Sequence, residues 1–219
     1  ITPKFVYYLC LELKKKYRII VLAPHYPGSK NKENLSGMLI YRYKYFIPQS
    51  FEKLCYGSCI LSNIRKNYFL ILLIPFLITS GLYAHYKIIK NEKISVIHAH
   101  WIIPQGLIAV LINKIFNLPL IITSHIGDIS TKKYILARFF LIHTLKNSNL
   151  VTANSSYTKK QIQSISDCQV HVIPMGVDIE RFSNAKGNLL KLKDNAKEVI
   201  ILFVGRLVEK KGCVYLVRA

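Results

Sequence analysis

Two cations and a set of strand-end histidines define the chemistry this chain could perform. Near its end, Gly205-Arg206-Leu207-Val208-Glu209-Lys210-Lys211-Gly212 follows the apolar run at 199–204 and precedes an apolar helical start at Cys213-Val214-Tyr215-Leu216. A buried strand, a tight glycine turn and a helix start together suit a diphosphate. Glycine admits close backbone approach, and a helix N-terminus offers free N–H groups and the positive end of its dipole. Arg206 can grip phosphate oxygens in a fork, and Lys211 adds a point charge. Upstream, three apolar runs end in polar residues. The first ends in His98-Ala99-His100-Trp101, the second in His125-Ile126-Gly127-Asp128 and the third in Asn154-Ser155-Ser156. Ligands of open parallel sheets bind beyond the carboxyl ends of the strands, so His100, His125, Gly127, Asp128 and Asn154 are candidate cleft residues. By strand alternation His98 and His100 share a face, and at most one of them reaches the cleft well. A strand-end histidine is often only a structural hydrogen bonder; two such ends in one sheet favour function. His-x-His also occurs at metal sites, but no Cys or carboxylate stands at ligand spacing, so no metal is expected.

The elements that must position these residues alternate along the chain. Helical spacing of Phe5, Val6, Leu9, Cys10 and Leu13 predicts a first helix. Residues 17–24 and 39–46 read as strands, with a polar loop at 29–34 between them. Further strands are expected at 95–99, 118–124, 150–153 and 170–173. Helices are expected at 104–116, 132–146 and 155–164, the last with a serine cap. Strands apolar on both faces, separated by helices, predict an α/β fold: a Rossmann-like parallel sheet covered by helices. The polar, lysine-rich residues 183–198 read as a linker or surface excursion. The organisation expected is thus a first domain over 1–182 and a strand–helix unit over 199–219.

Residues 67–86 contain no Asp, Glu, Lys or Arg. Three readings stand open: a long helix buried or half-buried in the domain, shallow insertion into a membrane surface, and a true span. The span is disfavoured by Pro75, Thr79, Ser80, Gly81 and His85 within it.

The 219 residues suit one domain and part of another, and a hydrophobic content of 51% excludes wholesale disorder. The net charge of +20 admits an anionic membrane surface. The scattered, largely lysine character of that charge also fits a coding bias. No interleaved aromatic–basic stretch supports nucleic acid as a partner. The five cysteines are odd in number and dispersed, as expected of reduced cytoplasmic thiols. The opening at Ile1, already in a helical pattern, and the stop at Ala219 lead us to expect truncation at both ends. No signal peptide pattern is visible.

Four strings together resemble glycosyltransferase family 4, retaining enzymes with the GT-B fold. They are Val96-Ile97-His98-Ala99-His100-Trp101 with Pro104-Gln105-Gly106; Thr123-Ser124-His125-Ile126-Gly127-Asp128-Ile129; Ile173-Pro174-Met175-Gly176-Val177-Asp178 with Arg181-Phe182; and Phe203 through Gly212. The resemblance implies two facing Rossmann-like domains, an acceptor domain followed by the start of a nucleotide-sugar domain. It implies that Gly205, Arg206 and Lys211 bind the donor diphosphate. His125 then stands near the transferred sugar with Asp128 in the same catalytic loop, while His100, Gly127 and Asn154 line the acceptor or sugar cleft. Ile126 replaces the family's common glycine. The substrates implied are a nucleotide-diphosphate sugar and a saccharide or lipid-linked acceptor, with no cofactor. The implied place is the cytoplasmic face of the membrane, with peripheral attachment, in surface polysaccharide or glycolipid synthesis. Another GT-B enzyme such as a nucleotide-sugar epimerase, or a non-catalytic acceptor-binding protein, shares the fold.

Overall fold

The computed structural model describes residues 4–57, 60–183, 199–205, 207 and 211–219. The chain divides into two compact units, Ile1–Val177 and Asp178–Ala219. In order, the first unit holds α1 (Lys4–Leu13), β1 (Ile20–Pro24), β2 (Lys32–Leu35), β3 (Met38–Tyr43), α2 (Ile60–Lys66), α3 (Ile74–Asn91), β4 (Ile97–His100), α4 (Leu107–Phe116), β5 (Leu120–Ser124), α5 (Ile135–Lys146), β6 (Leu150–Ala153), α6 (Ser156–Gln163) and β7 (Val170–Val172). The second holds α7 (Ile179–Ser183) and α8 (Cys213–Arg218).

The fold is α/β, as the alternation of apolar runs requires. Strands β4, β5, β6 and β7 form one parallel sheet in chain order, flanked by helices. Its core is built by Leu120 and Ile122 of β5, Val151 and Ala153 of β6, Ala109 and Val110 of α4, Leu141 and Leu145 of α5, and Ile162 of α6. Burying each of the leucine, isoleucine and valine side chains contributes about 1.5–3 kcal/mol. Ser155 caps α6, its hydroxyl accepting from the Thr158 N–H at 3.1 Å, where the sequence places a serine cap.

A second sheet has the order β1-β3-β2, with β1 parallel and β2 antiparallel to β3. The residues expected as polar loop therefore include a strand. Lys32–Leu35 returns from β3 through a tight turn at Ser36-Gly37, with Leu35 opposite Met38. It is an exposed edge strand of Lys-Glu-Asn-Leu, and such strands carry no apolar alternation to betray them. Among the described residues no strand pairs the outer edges of β1 and β4. The apolar β1 stays only half-buried throughout.

Helix α3 joins the two sheets. A Cβ on Gly81 would meet Ile108 Cδ1 of α4 at 2.9 Å and the Tyr43 hydroxyl of β3 at 3.3 Å, so α3 seats closely on both and a larger residue would force Ile108 and Tyr43 to shift. At its far end Glu92 accepts from Arg18 and from the Tyr41 hydroxyl. The uncharged segment is thus anchored, but it is not buried. A 3₁₀ turn over Tyr68–Leu73 leads into α3, and Phe69 is 81% and Leu72 65% exposed. Of α3 itself only Leu77 and Gly81 are buried. Of the buried and half-buried alternatives, α3 takes the half-buried one: an uncharged sequence says how apolar a helix is, not how much of it the fold covers.

The strand expected at 199–204 is not formed. In the second unit these residues pair with no strand among the described residues, and five of the six apolar side chains lie exposed. A parallel strand takes its hydrogen bonds from neighbouring strands, and the second unit offers none among the described residues.

Candidate active site

Strands β4 and β5 run side by side with His98 opposite Ile121 and His100 opposite Thr123. This register brings His100 of β4 and His125, just past β5, to the same end of the sheet. His100 Nδ1 lies 3.0 Å from His125 Nε2. The His100 ring stacks on His98 at 4.5 Å between centroids and on His125 at 5.3 Å. His98 Nε2 meets Thr123 Oγ1 at 2.7 Å, and that hydroxyl meets Thr152 Oγ1 of β6 at 2.7 Å. A polar thread therefore crosses three strands beneath the strand ends. His98 is the most exposed of the three histidines and His125 the most buried.

Three close rings cannot all carry charge. Burial first, then the neighbouring His98 and His125, hold His100 down at about 3. Burial first, then His98, holds His125 at about 4. Both imidazoles are therefore neutral at pH 7, and one nitrogen of the 3.0 Å pair donates while the other accepts. Aromatic walls enclose His125: Phe5 of α1 lies at 4.8 Å and Trp101 at 5.0 Å between centroids.

Trp101 adopts φ 71°, ψ 132°, a strained conformation for a side chain of its size. It is held there by its N–H to the Thr123 carbonyl at 2.8 Å and by the Gly106 N–H to its own carbonyl at 3.0 Å. A Cβ on Gly106 would meet Thr144 Cγ2 at 3.0 Å and Trp101 O at 3.1 Å, so any larger residue would have to push these neighbours aside. Ile126 is strained too, at φ 30°, in the position where a glycine would adopt such an angle freely.

Asp128 is fully engaged inside the protein. Oδ2 accepts from the Ile102 N–H at 2.6 Å, while Oδ1 accepts from Ser124 Oγ at 3.0 Å and the Ile129 N–H at 2.9 Å. Burial raises its pKa above the ordinary carboxylate range, against the opposing pull of these three donors. The carboxylate ties the turn after β4 to the loop after β5. Gly127 is exposed beside His125, and Asn154 at the end of β6 accepts from Thr158 Oγ1 at 2.8 Å.

The structure thus brings His98, His100, His125, Gly127 and Asp128 together at one end of the parallel sheet. Phe5, Thr123, Thr152 and the strained Trp101 escaped the sequence reading as site residues. Only Trp101, adjacent to His100, had a positional signal. In the second unit Gly205 and Lys211 are exposed, and Arg206 lies outside the described residues.

Comparison with known proteins follows the same division. The chain is 31% identical over 134 residues to an uncharacterized glycosyltransferase of Methanocaldococcus jannaschii, covering 61% of this chain and 35% of that protein. It is 23% identical over 122 residues to TuaC of Bacillus subtilis, provisionally named a teichuronic acid biosynthesis glycosyltransferase, covering 53% of this chain and 31% of that one. The chain therefore spans about a third of the length of these relatives. A sucrose-phosphate synthase structure from Thermosynechococcus elongatus superposes with a TM-score of 0.54 at 15% identity, over 81% of this chain and 88% of that one, a likeness of fold. The model of Glycosyltransferase Family 4 matches residues 3–181, which contain every element of both sheets and the whole histidine cluster, and the chain belongs to that family.

Proposed function

We propose that the protein transfers a sugar, with retention, from a nucleotide-diphosphate sugar to a saccharide or lipid-linked acceptor, in surface polysaccharide or glycolipid synthesis. The donor supplies all the chemistry, with no metal or organic cofactor. The bond from the anomeric carbon to the diphosphate breaks, and a bond to an acceptor oxygen forms. The acceptor's proton leaves with the diphosphate.

The observation that carries this reading is the neutral, ring-stacked histidine cluster at the carboxyl end of the parallel sheet. Positive charge grows on the sugar as the diphosphate departs. A neutral imidazole can hydrogen-bond a sugar hydroxyl there without repelling that charge, whereas an imidazolium would oppose it. Asp128 acts as a positioning residue, since both its oxygens are spent on the loops that frame His125. Gly127 and Asn154 are assigned to the cleft wall. Negative charge on the leaving diphosphate calls for fixed cations, the role assigned to Arg206 and Lys211, with Gly205 beside them. The test is incubation of the full-length protein with nucleotide-sugars and a mixture of saccharide and lipid-linked acceptors. A product whose anomeric configuration matches the donor is expected. Inverted product, or donor sugar epimerised without transfer, overturns the proposal.

The same reading places the protein at the cytoplasmic face of a membrane, attached peripherally. The helical stretch Tyr68–Asn91 is long and apolar enough to cross a bilayer by length and composition. Yet Leu77 and Gly81 are packed within the α/β unit, and many of its exposed apolar side chains gather in the Tyr68–Leu73 turn. A second apolar tip adjoins it. Arg65, at the end of α2, lies beside the Tyr134 hydroxyl and lowers its pKa. Tyr134 opens onto Ile135 and Phe139, which are 91% and 62% exposed. Lys66, Lys132 and Lys133 flank these tips. Apolar side chains with flanking lysines are the two signals that act together on anionic lipid. Replacing Phe69, Leu72, Ile135 and Phe139 by serine is expected to weaken co-sedimentation with phosphatidylglycerol vesicles by about tenfold or more. Retention of the unmodified protein in the lipid fraction after a carbonate wash shows a span instead.

A further inference from the structure

A second polar cluster lies at the carboxyl ends of the parallel pair β1 and β3, apart from the histidines of β4 and β5. Glu52 is fully buried, and all its acceptor capacity faces inward. Oε1 accepts from the Tyr45 N–H at 2.5 Å and the Phe46 N–H at 3.2 Å. Oε2 meets His25 Nδ1 at 2.9 Å and the Tyr56 hydroxyl at 3.2 Å. A buried carboxylate is costly unless so satisfied. Here it fixes the His25 ring and holds a proton at Nδ1. His25 is only 6% exposed, and its other nitrogen, Nε2, has no hydrogen-bond partner among the described residues.

His25 forms part of the wall of an open cleft of about 840 Å³. Lys30, Lys44 and Lys53 also line that cleft, and no carboxylate does. Among the described residues none of these three ammonium groups is paired with an acid. The cleft therefore offers concentrated positive charge beside one oriented imidazole nitrogen able to hydrogen-bond a hydroxyl. Three lysines alone are unremarkable in a chain of net charge +20. Their convergence on a buried, carboxylate-oriented histidine at strand carboxyl ends is not explained by solvation. Asn63 of α2 donates to the Lys53, Leu54 and Tyr56 carbonyls, so the cleft wall is tied to the helix that leads into the apolar turn at Tyr68–Leu73.

We propose that this cleft binds a hydroxylated phosphate ester, the phosphate held by Lys30, Lys44 and Lys53 and a hydroxyl by His25. This ligand, resting on the glycosyl-transfer reading, is the anionic part of the acceptor. The chemistry is shared by a soluble sugar or glycerol phosphate and by a glycerophospholipid headgroup.

The test is a titration of the isotope-labelled protein with sn-glycerol 3-phosphate, following backbone amide resonances of Gly28, Ser29 and Lys30. Saturable shifts are expected. In the triple variant Lys30→Gln, Lys44→Gln, Lys53→Gln the affinity falls by about tenfold or more, roughly 1.4 kcal/mol. The control triple Lys114→Gln, Lys146→Gln, Lys160→Gln removes the same charge elsewhere and leaves affinity unchanged. His25→Gln weakens glycerol 3-phosphate but not inorganic phosphate, which lacks a carbon-borne hydroxyl. Parallel vesicles distinguish the source: perturbation of the same amides by phosphatidylglycerol and not by phosphatidylcholine supports a lipid headgroup. Equal weakening in both lysine triples, or no saturation by either probe up to about 20 mM, overturns the site. Binding without sugar transfer would leave the site standing and remove only the glycosyl-transfer reading.

Discussion

On the proposed transfer reaction, replacing His125 by alanine is expected to lower turnover by about 10²–10³-fold while nucleotide affinity changes little. The split follows from where His125 sits. It belongs to the first unit, beside His100 and between Phe5 and Trp101, and the diphosphate is assigned to cations of the second. An interaction made mainly as charge develops on the sugar shows in kcat rather than in binding. The pH dependence has a fixed sign. His125 is held at about 4 against about 6.5 for an unstrained imidazole, so its neutral form persists well below pH 7. Turnover should be insensitive to this group above about pH 5.5 and should fall as the pH approaches 4. Stability moves the same way. Between the two values the unfolded chain binds more protons than the folded one. The contribution of the buried neutral ring is therefore complete above about pH 6.5 and is lost as the pH falls through 4. His125→Gln, which cannot titrate, should lessen that acid loss in urea titrations run at pH 7 and pH 5. A variant with intact turnover and lost nucleotide affinity would refute the role.

Changing Asp128 should act first on stability. Asp128→Ala strands the Ile102 and Ile129 N–H groups and the Ser124 hydroxyl in a buried place. Unpaired buried donors cost about 1–3 kcal/mol each, and partial entry of water brings the expected sum to about 3–5 kcal/mol. Asp128→Asn keeps one acceptor oxygen, which can serve Ser124 and Ile129, but turns an amide N–H₂ toward the Ile102 N–H. Two donors then face one another, and a loss of about 2–3 kcal/mol is expected. The midpoint of urea unfolding measures both. If Asp128→Asn left the midpoint unchanged and abolished turnover, the carboxylate would be acting on substrate rather than holding the loop.

Much of the scaffold was legible because apolar runs and strand-end residues obey simple periodicities. The four parallel strands, the serine cap before α6 and the convergence of His100 with His125 all follow from chain order and alternation. What stayed hidden depends on long-range partners. Lys32–Leu35 is polar and becomes a strand only because β3 lies beside it. Residues 199–204 look like a buried strand in isolation, yet the second unit supplies no neighbour to pair with them among the described residues. Glu52 sits in a stretch without clear periodicity, and nothing local announces that it meets His25, 27 positions away. The reach of Phe5 to His125 is equally invisible, since helical spacing marks Phe5 only as one more apolar residue of α1.

The contact between Arg65 and Tyr134 has a consequence for how substrate could arrive. It joins the apolar turn after α2 to the segment that directly follows the His125–Asp128 loop. The apolar tips are thus linked, within the first unit, to the segment that leads away from the histidine site. For an acceptor anchored in lipid, search would be confined to a plane, and encounter would be set by surface density rather than bulk concentration. Docking by the tips would then raise effective concentration at the strand ends without any added contact to the sugar, as linkage does for tethered ligands. An acceptor stripped of its lipid would lose that advantage while meeting the same residues.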